Sequence, residues 1–120
     1  VAMTPENLNA LISVARELQM QPVLPVPIDS LADLELLATW HRERRLQAFA
    51  LTVPTRMGLT LDILLFPPVD FSRLRDNAVT FTVHNTPMVL ASIDDLIALK
   101  KAAGRPIDLA DVEHLEKLRF

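Results

Sequence analysis

The stretch Ser92-Ile-Asp-Asp-Leu-Ile-Ala-Leu-Lys-Lys-Ala-Ala-Gly-Arg-Pro-Ile-Asp-Leu-Ala-Asp111 decides how the last third of this 120-residue chain folds. Ser92 is a typical helix cap, and the positions that should face the interior then recur at i, i+3, i+4 and i+7. They are Ile93, Leu96, Ile97 and Lys100. Because a lysine on an apolar face needs an anion or a cleft, Lys100 is a candidate functional residue.

This stretch predicts two helices, over about residues 93–103 and 108–119, with a break at Gly104-Arg-Pro106. Asp108 suits the N-cap of the second helix and Asp111 its N3 position, which is a structural interpretation of both carboxylates. Arg105 is expected either to bind the same anion as Lys100 or to pair with Asp108.

Upstream of this stretch, short apolar runs predict four strands that form two hairpins. Pro54-Thr-Arg-Met-Gly58 joins the first pair and His84-Asn-Thr-Pro87 joins the second. Asp70 is expected to cap a short helix between the hairpins. The strands are predicted over residues 48–53, 59–66, 79–83 and 88–91.

The first part of the chain predicts two more helices. One should run from about residue 5 to about residue 20, and another should follow a capping box at Ser30 and Asp33 and continue toward Arg45. Three prolines hold residues 22–27 extended between them, as a connecting arm or an edge segment. The order of elements indicates an α+β fold, with a mixed or antiparallel sheet flanked by helices, over residues 1–120 as a single domain.

The amino-acid composition excludes several classes of chemistry and of partner. Half of the residues are hydrophobic, cysteine is absent and only two residues are glycine, which excludes thiol chemistry and a glycine-rich phosphate loop. We expect a cytoplasmic protein with no membrane partner. The net charge of -3 gives no global attraction for nucleic acid, so any such contact would be local. The cluster Arg42, Arg44 and Arg45 is interpreted as a solvated helix end, and a nucleic-acid role is the lesser alternative.

Asp62 is, after Lys100, the second charged residue at a position that should be apolar. It lies in Leu59-Thr-Leu-Asp-Ile-Leu-Leu-Phe66, a run apolar enough for a strand buried on both faces. A buried carboxylate needs a metal, an arginine or several donors. Pairing with Arg56 is one interpretation, and a divalent-metal ligand is the other. Magnesium is usually held by more than one carboxylate, so Asp62 alone cannot make that site.

The remaining polar residues indicate no further chemistry. The three histidines, His41, His84 and His114, have no partner at metal-ligand spacing and are expected to be structural or exposed. Trp40 is expected in the core or at an interface. No constellation of serine, lysine and histidine indicates covalent catalysis.

Three segments together resemble a known family: Thr60-Leu-Asp-Ile-Leu64, the predicted helix from Ser92 to Lys100, and Gly104-Arg-Pro-Ile-Asp-Leu-Ala-Asp111. They are similar to the bacterial nucleotidyltransferase-fold proteins of the DNA polymerase beta superfamily, and most of all to its small toxin-type branch. In that branch a lysine, seven residues and then Asp-x-x-Asp recur. Lys100, Asp108 and Asp111 match this spacing.

The resemblance implies attack of a hydroxyl on the α-phosphate of a nucleoside triphosphate, with Mg²⁺ stabilising the developing charge. By resemblance, Asp62 binds the metal or acts as the base. Lys100 and Arg105 bind phosphate, and Asp108 and Asp111 are second-site or structural carboxylates. In the family, a Gly-Ser or Gly-Gly turn and an Asp-x-Asp pair precede the helix that starts here at Pro5, and neither is present. We therefore expect the C-terminal portion of a nucleotidyltransferase, inactive or very weak as this chain.

Other functions are compatible with the same residues. A non-catalytic module of this fold would bind a partner or a nucleotide, or would form a homodimer through an exposed sheet edge, as part of a toxin-antitoxin system. A helix-turn-helix over the last two helices ranks lowest, because its acidic residues would repel DNA. The expected partners are a nucleoside triphosphate, a second copy of the chain and, among nucleic acids, only an RNA acceptor.

Overall fold

The structure is a computed structural model that describes residues 1–55 and 59–119. The chain falls into two compact units, Val1–Phe66 and Pro67–Phe120. The described residues form five α-helices and two antiparallel sheets, so the α+β class is confirmed. A single domain over residues 1–120 stays a prediction, and the proposed pairing of Asp62 with Arg56 lies outside the described residues.

The first unit begins with α1, Pro5–Glu17, whose cap is the Thr4 side chain, which accepts from the Asn7 amide at 3.3 Å. A 3-10 helix, Ile28–Ala32, leads into α2, Leu34–Arg44. The predicted capping box is only half correct, because Asp33 caps α2 through the Leu36 amide at 3.0 Å while Ser30 lies inside the 3-10 turn.

A three-stranded antiparallel sheet completes this unit, with β1 (Gln21–Pro22), β2 (Ala48–Thr52) and β3 (Thr60–Leu64) in that order. Phe49 and Leu51 of β2 face inward, as do Ile63 of β3 and Leu65 just after it. These side chains meet buried residues of the helices, and such burial is the main favourable term in folding. The core consists of Leu8, Ile12, Ala15, Met20, Leu31, Leu37, Phe49, Leu51, Val53, Ile63 and Leu65.

The expectation that β3 is buried on both faces is wrong. Alternation does place Asp62 on one face with Thr60, Leu64 and Phe66, but that face is exposed and only Ile63 within the strand is buried. Among the described strands, β3 pairs with β2 alone and so lies at the edge of its sheet. Asp62 therefore avoids the desolvation cost that made it anomalous.

The second unit contains α3 (Phe71–Asn77), a hairpin of β4 (Val79–Val83) and β5 (Thr86–Leu90), and the helices α4 (Ile93–Ala103) and α5 (Pro106–Lys117). The predicted second hairpin is confirmed. Its two turn residues have positive φ, 48° at His84 and 61° at Asn85, as the tight turns of two-residue hairpins require.

Helix α4 has the predicted bounds, but the predicted start of α5 is wrong by two residues. Pro106 occupies the first helical position, where its missing amide hydrogen costs nothing. Arg105 is therefore the N-cap, and Asp108 occupies N3 instead of the N-cap. Gly104 ends α4 at φ 68°, a left-handed conformation that favours glycine.

In the part of the chain that the structure describes, no helix is both long enough and apolar enough to cross a membrane.

Candidate functional site

Four charged residues meet where α4 ends and α5 begins, and we call them the α4–α5 cluster: Lys100, Arg105, Asp108 and Asp111. The left-handed turn at Gly104 reverses the chain, so that the last turn of α4 lies beside the first turns of α5. All four sequence-predicted site residues of this unit therefore lie within one group of ion pairs.

Asp108 is the centre of this cluster, and its side chain is only 2% exposed. Its Oδ2 atom accepts from the Arg105 amide at 3.2 Å and from Arg105 Nε at 2.6 Å. Its Oδ1 atom accepts from Arg105 Nη2 at 3.2 Å and lies 3.7 Å from Lys100 Nζ. The hydrogen bond from Arg105 holds the pKa of Asp108 below its usual value, and Asp108 in turn raises the pKa of Arg105. Asp108 is thus an ionised carboxylate that caps α5 and binds Arg105.

Lys100 completes the cluster from α4. Its ammonium donates to Asp111 Oδ2 at 2.8 Å, and the lysine side chain remains 31% exposed. The hydrogen bond to Asp111 raises the pKa of Lys100 above its usual value, so it is a cation at neutral pH. The anion that the apolar-face lysine requires is therefore supplied within the protein.

The cluster contains two cations and two carboxylates, so its formal charge is balanced. Phosphate would have to compete with Asp111 for Lys100, whereas Arg105, whose side chain is 71% exposed, is open to solvent. As it stands, the arrangement joins α4 to α5.

Sequence reasoning missed the buried carboxylate of Asp95. Its side chain is 1% exposed, accepts from Asn77 Nδ2 at 3.1 Å and lies 3.3 Å from Arg73 Nε. The Asp95 amide donates to Ser92 Oγ at 3.2 Å. The spacing Ser-x-x-Asp indicates a helix start, but it does not predict that the Asp95 carboxylate is buried against α3. Asp95 therefore fixes α3 against the first turn of α4.

Asp62 lies in the other unit, on the exposed face of β3 and directly across from Ala50 of β2. Among the described residues, no arginine or lysine lies within ion-pair distance of it, and no group of three His, Cys, Asp or Glu side chains could hold a metal. Asp62 as a metal ligand stays a prediction.

The histidines and Trp40 have local roles. His41 Nδ1 lies 2.9 Å from the Leu46 carbonyl oxygen, and its ring stands 5.3 Å from that of Phe66. His84 lies in the β4–β5 turn, and His114 is exposed on α5. Trp40 is half-buried against the core of the first unit, as expected.

The predicted site residues divide between the two units, with Asp62 in the first and the α4–α5 cluster in the second. Comparison of the chain with protein-family models, with curated proteins and with solved structures finds no match.

Proposed function

We propose that this chain is part of a nucleotidyltransferase-fold protein of the toxin-like type, which transfers a nucleoside monophosphate from a nucleoside triphosphate to a hydroxyl acceptor. The observation that carries the proposal is that Lys100 contacts both Asp108 and Asp111. The sequence spacing of these three residues resembles the family motif, and the spacing alone did not require them to touch. Their contact supports a motif that works as one unit.

In the proposed chemistry this chain supplies phosphate-binding side chains, and these 120 residues alone are expected to be inactive or very weak. The acceptor oxygen forms a bond to the α-phosphorus, and the bond from that phosphorus to the bridging oxygen breaks, which releases pyrophosphate. The hydroxyl proton passes to the surrounding water, and the role of Asp62 as the base stays an expectation of the resemblance. Lys100 and Arg105 offset the negative charge of the phosphates.

Nucleotide binding in this proposal exchanges one anion for another at Lys100. Asp111 carries one negative charge and is half-exposed, so its pairing with Lys100 is weakened by solvent. A triphosphate brings several charges to the same ammonium and to Arg105. Asp111 therefore holds Lys100 in place in the free protein and gives way when nucleotide binds.

Calorimetric titration with each of the four nucleoside triphosphates, in buffer containing Mg²⁺, tests this function. The wild-type chain is compared with Lys100→Met and with a control, Lys101→Met. The control removes the same charge from the neighbouring residue, whose ammonium lies 3.8 Å from the Glu116 carboxylate in an exposed ion pair. We expect binding heat in the wild type and in Lys101→Met, and none in Lys100→Met. No heat with any nucleotide, or equal heats in all three proteins, would refute the proposal.

A second candidate, a non-catalytic module that self-associates, is favoured by the β4–β5 hairpin. Alternate residues place five apolar side chains on one face, and each is about half exposed. A two-stranded hairpin is marginal in water without something packed on its apolar face. The five residues are Val79, Phe81, Val83, Met88 and Leu90.

Sedimentation equilibrium over a range of protein concentrations tests this candidate. A dimer that is lost in Phe81→Ser and retained in Thr80→Ser, a change on the opposite face, would support self-association through the hairpin. A monomer at every concentration would exclude it.

A further inference from the structure

Three arginines surround the C-terminal end of α2 in the first unit, and an aromatic pair lies beside them. Arg45 ends α2 with a left-handed φ of 54°, and the Leu46 amide then donates to the Trp40 carbonyl at 3.3 Å. The Leu65 amide donates to the Gln47 carbonyl at 2.9 Å, which brings the end of β3 to the same place. We call this region the arginine–Phe66 surface: Arg42, Arg44, Arg45, His41 and Phe66.

The arginines of this surface differ from most others in the chain. Arg42, Arg44 and Arg45 are exposed, and no carboxylate of residues 1–55 or 59–119 lies within ion-pair distance of them. In contrast, four other arginines pair with carboxylates: Arg16, Arg73, Arg105 and Arg119. With Glu43 as the acidic neighbour on the helix, the patch keeps a positive charge in a chain whose net charge is -3. These guanidinium groups are available to an external anion.

Phe66 supplies the second feature. Its backbone has a φ of 46°, a left-handed conformation that is rare for a bulky residue. The residue is 37% exposed, and the centre of its ring lies 5.3 Å from that of the His41 ring. Such backbone strain persists where the surroundings hold a residue in place. Phe66 therefore adds a partly exposed aromatic residue, in contact with His41, at the end of α2 that carries the three exposed arginines.

We propose that the arginine–Phe66 surface binds single-stranded nucleic acid, with the arginines on the phosphates and Phe66, supported by His41, stacked on a base. Single-stranded nucleic-acid sites combine a basic track with exposed aromatic rings in this way. A duplex hides its base faces, and an acidic peptide would make no use of the ring. The inference stands apart from nucleotidyl transfer, because it uses neither Asp62 nor the α4–α5 cluster.

Fluorescence anisotropy with labelled oligouridine, labelled oligothymidine and a duplex of the same length tests the proposal. The test variant is the double substitution Arg42→Ala/Arg44→Ala, which leaves the cap residue Arg45 in place. Its control is the double substitution Arg75→Ala/Lys117→Ala, which removes the same charge at two exposed positions that have no carboxylate partner among the described residues. We expect the first pair to weaken single-strand binding about tenfold and to reduce the slope of log K against log salt by about 1.4, since each phosphate contact contributes about 0.7.

The stacking role is tested with Phe66→Leu and Phe66→Trp. We expect roughly tenfold weaker binding in the leucine variant and retained binding in the tryptophan variant, because a base needs an aromatic face. Binding of either single strand supports the inference, and the ratio of the affinities for oligouridine and oligothymidine shows whether RNA or DNA is preferred. Equal affinity of the Arg42/Arg44 variant and its control, or duplex binding as tight as single-strand binding, would overturn it.

Discussion

The ammonium of Lys100 lies 2.8 Å from Asp111 Oδ2 and donates a hydrogen bond to it across the turn between α4 and α5. This contact explains how a lysine can occupy the apolar stripe of α4 without a separate cleft. It also ties Lys100 to the carboxylate that, in the proposed function, a nucleotide would displace. Neutralising Asp111 should therefore have two opposite effects: the protein loses some stability, and its proposed affinity for a triphosphate rises.

Asp111→Asn is expected to lower the free energy of unfolding by no more than about 1 kcal/mol, because the pair with Lys100 is partly exposed. The same change should strengthen triphosphate binding, since Lys100 loses its competing anion. Urea unfolding and calorimetric titration measure the two effects. Weaker nucleotide binding in this variant would contradict the exchange at Lys100.

Asp108 gives a prediction for the acid side of the pH range. Because Arg105 lowers the pKa of Asp108, its stabilisation is complete above the unfolded value of about 3.9 and is lost as pH falls through the lower folded value. The gap in melting temperature between the wild type and Asp108→Asn should therefore be constant near neutrality and shrink below about pH 4. Thermal unfolding in stepped pH buffers measures it, and a gap that is unchanged in strong acid would count against this ion pair.

Lys100 gives the matching prediction for the alkaline side. Its pKa is raised by Asp111, so its stabilisation is complete below about 10.4 and is lost as pH rises through the higher folded value. The melting-temperature gap between the wild type and Lys100→Met should hold through neutral pH and narrow above about pH 10.4. A gap that already narrows at neutral pH would show that the lysine is not held by Asp111.

Local signals made much of the fold predictable. The Ser92 cap and Gly104 at the opposite end define α4, and Asn85 within the turn favours the β4–β5 hairpin. The predicted start of α5 was two residues too late because an arginine is an unusual N-cap. Pro106, which occupies the first helical position, was the better signal.

Burial at the candidate site was less predictable, because it depends on which elements pack together. The apolar run around Asp62 indicates a strand but does not tell whether a neighbour covers its second face. Asp95 was missed for the same reason, since its burial depends on Arg73 and Asn77 of α3. The spacing of Lys100, Asp108 and Asp111 matched a family motif but did not predict that these residues touch. Of the contacts in the cluster, the pairing of Arg105 with Asp108 was the one expected as an alternative.

The exposed and the buried face of β3 can be checked with neighbouring residues. Ile63 is 5% exposed, so Ile63→Ala should cost about 2–5 kcal/mol of unfolding free energy. Asp62 is exposed, so Asp62→Ala should change it by less than about 0.5 kcal/mol. Denaturant unfolding compares them directly. A large effect of Asp62→Ala would indicate a buried carboxylate and contradict the edge position of β3.

Gly104 and Arg45, the left-handed C-caps of α4 and α2, provide a matched pair. Gly104→Ala meets only ordinary contact, 3.6 Å to the Lys101 carbonyl oxygen, so its cost should be the backbone strain of about 1 kcal/mol. Arg45→Gly at φ 54° should relieve strain and stabilise the protein by up to about 1 kcal/mol. The melting temperature should fall in Gly104→Ala and rise in Arg45→Gly. Shifts of the same sign in both variants would contradict the left-handed conformation at one of these two positions.

The central claim is that Lys100, Asp108 and Asp111 act together toward nucleotide phosphate. Two-dimensional NMR of the ¹⁵N-labelled chain, titrated with each nucleoside triphosphate, tests it most directly. We predict that the amides from Lys100 to Asp111 shift progressively in the wild type and stay in place in Lys100→Met. Amides in this segment that do not respond to any triphosphate, or that shift equally in both proteins, would contradict the claim.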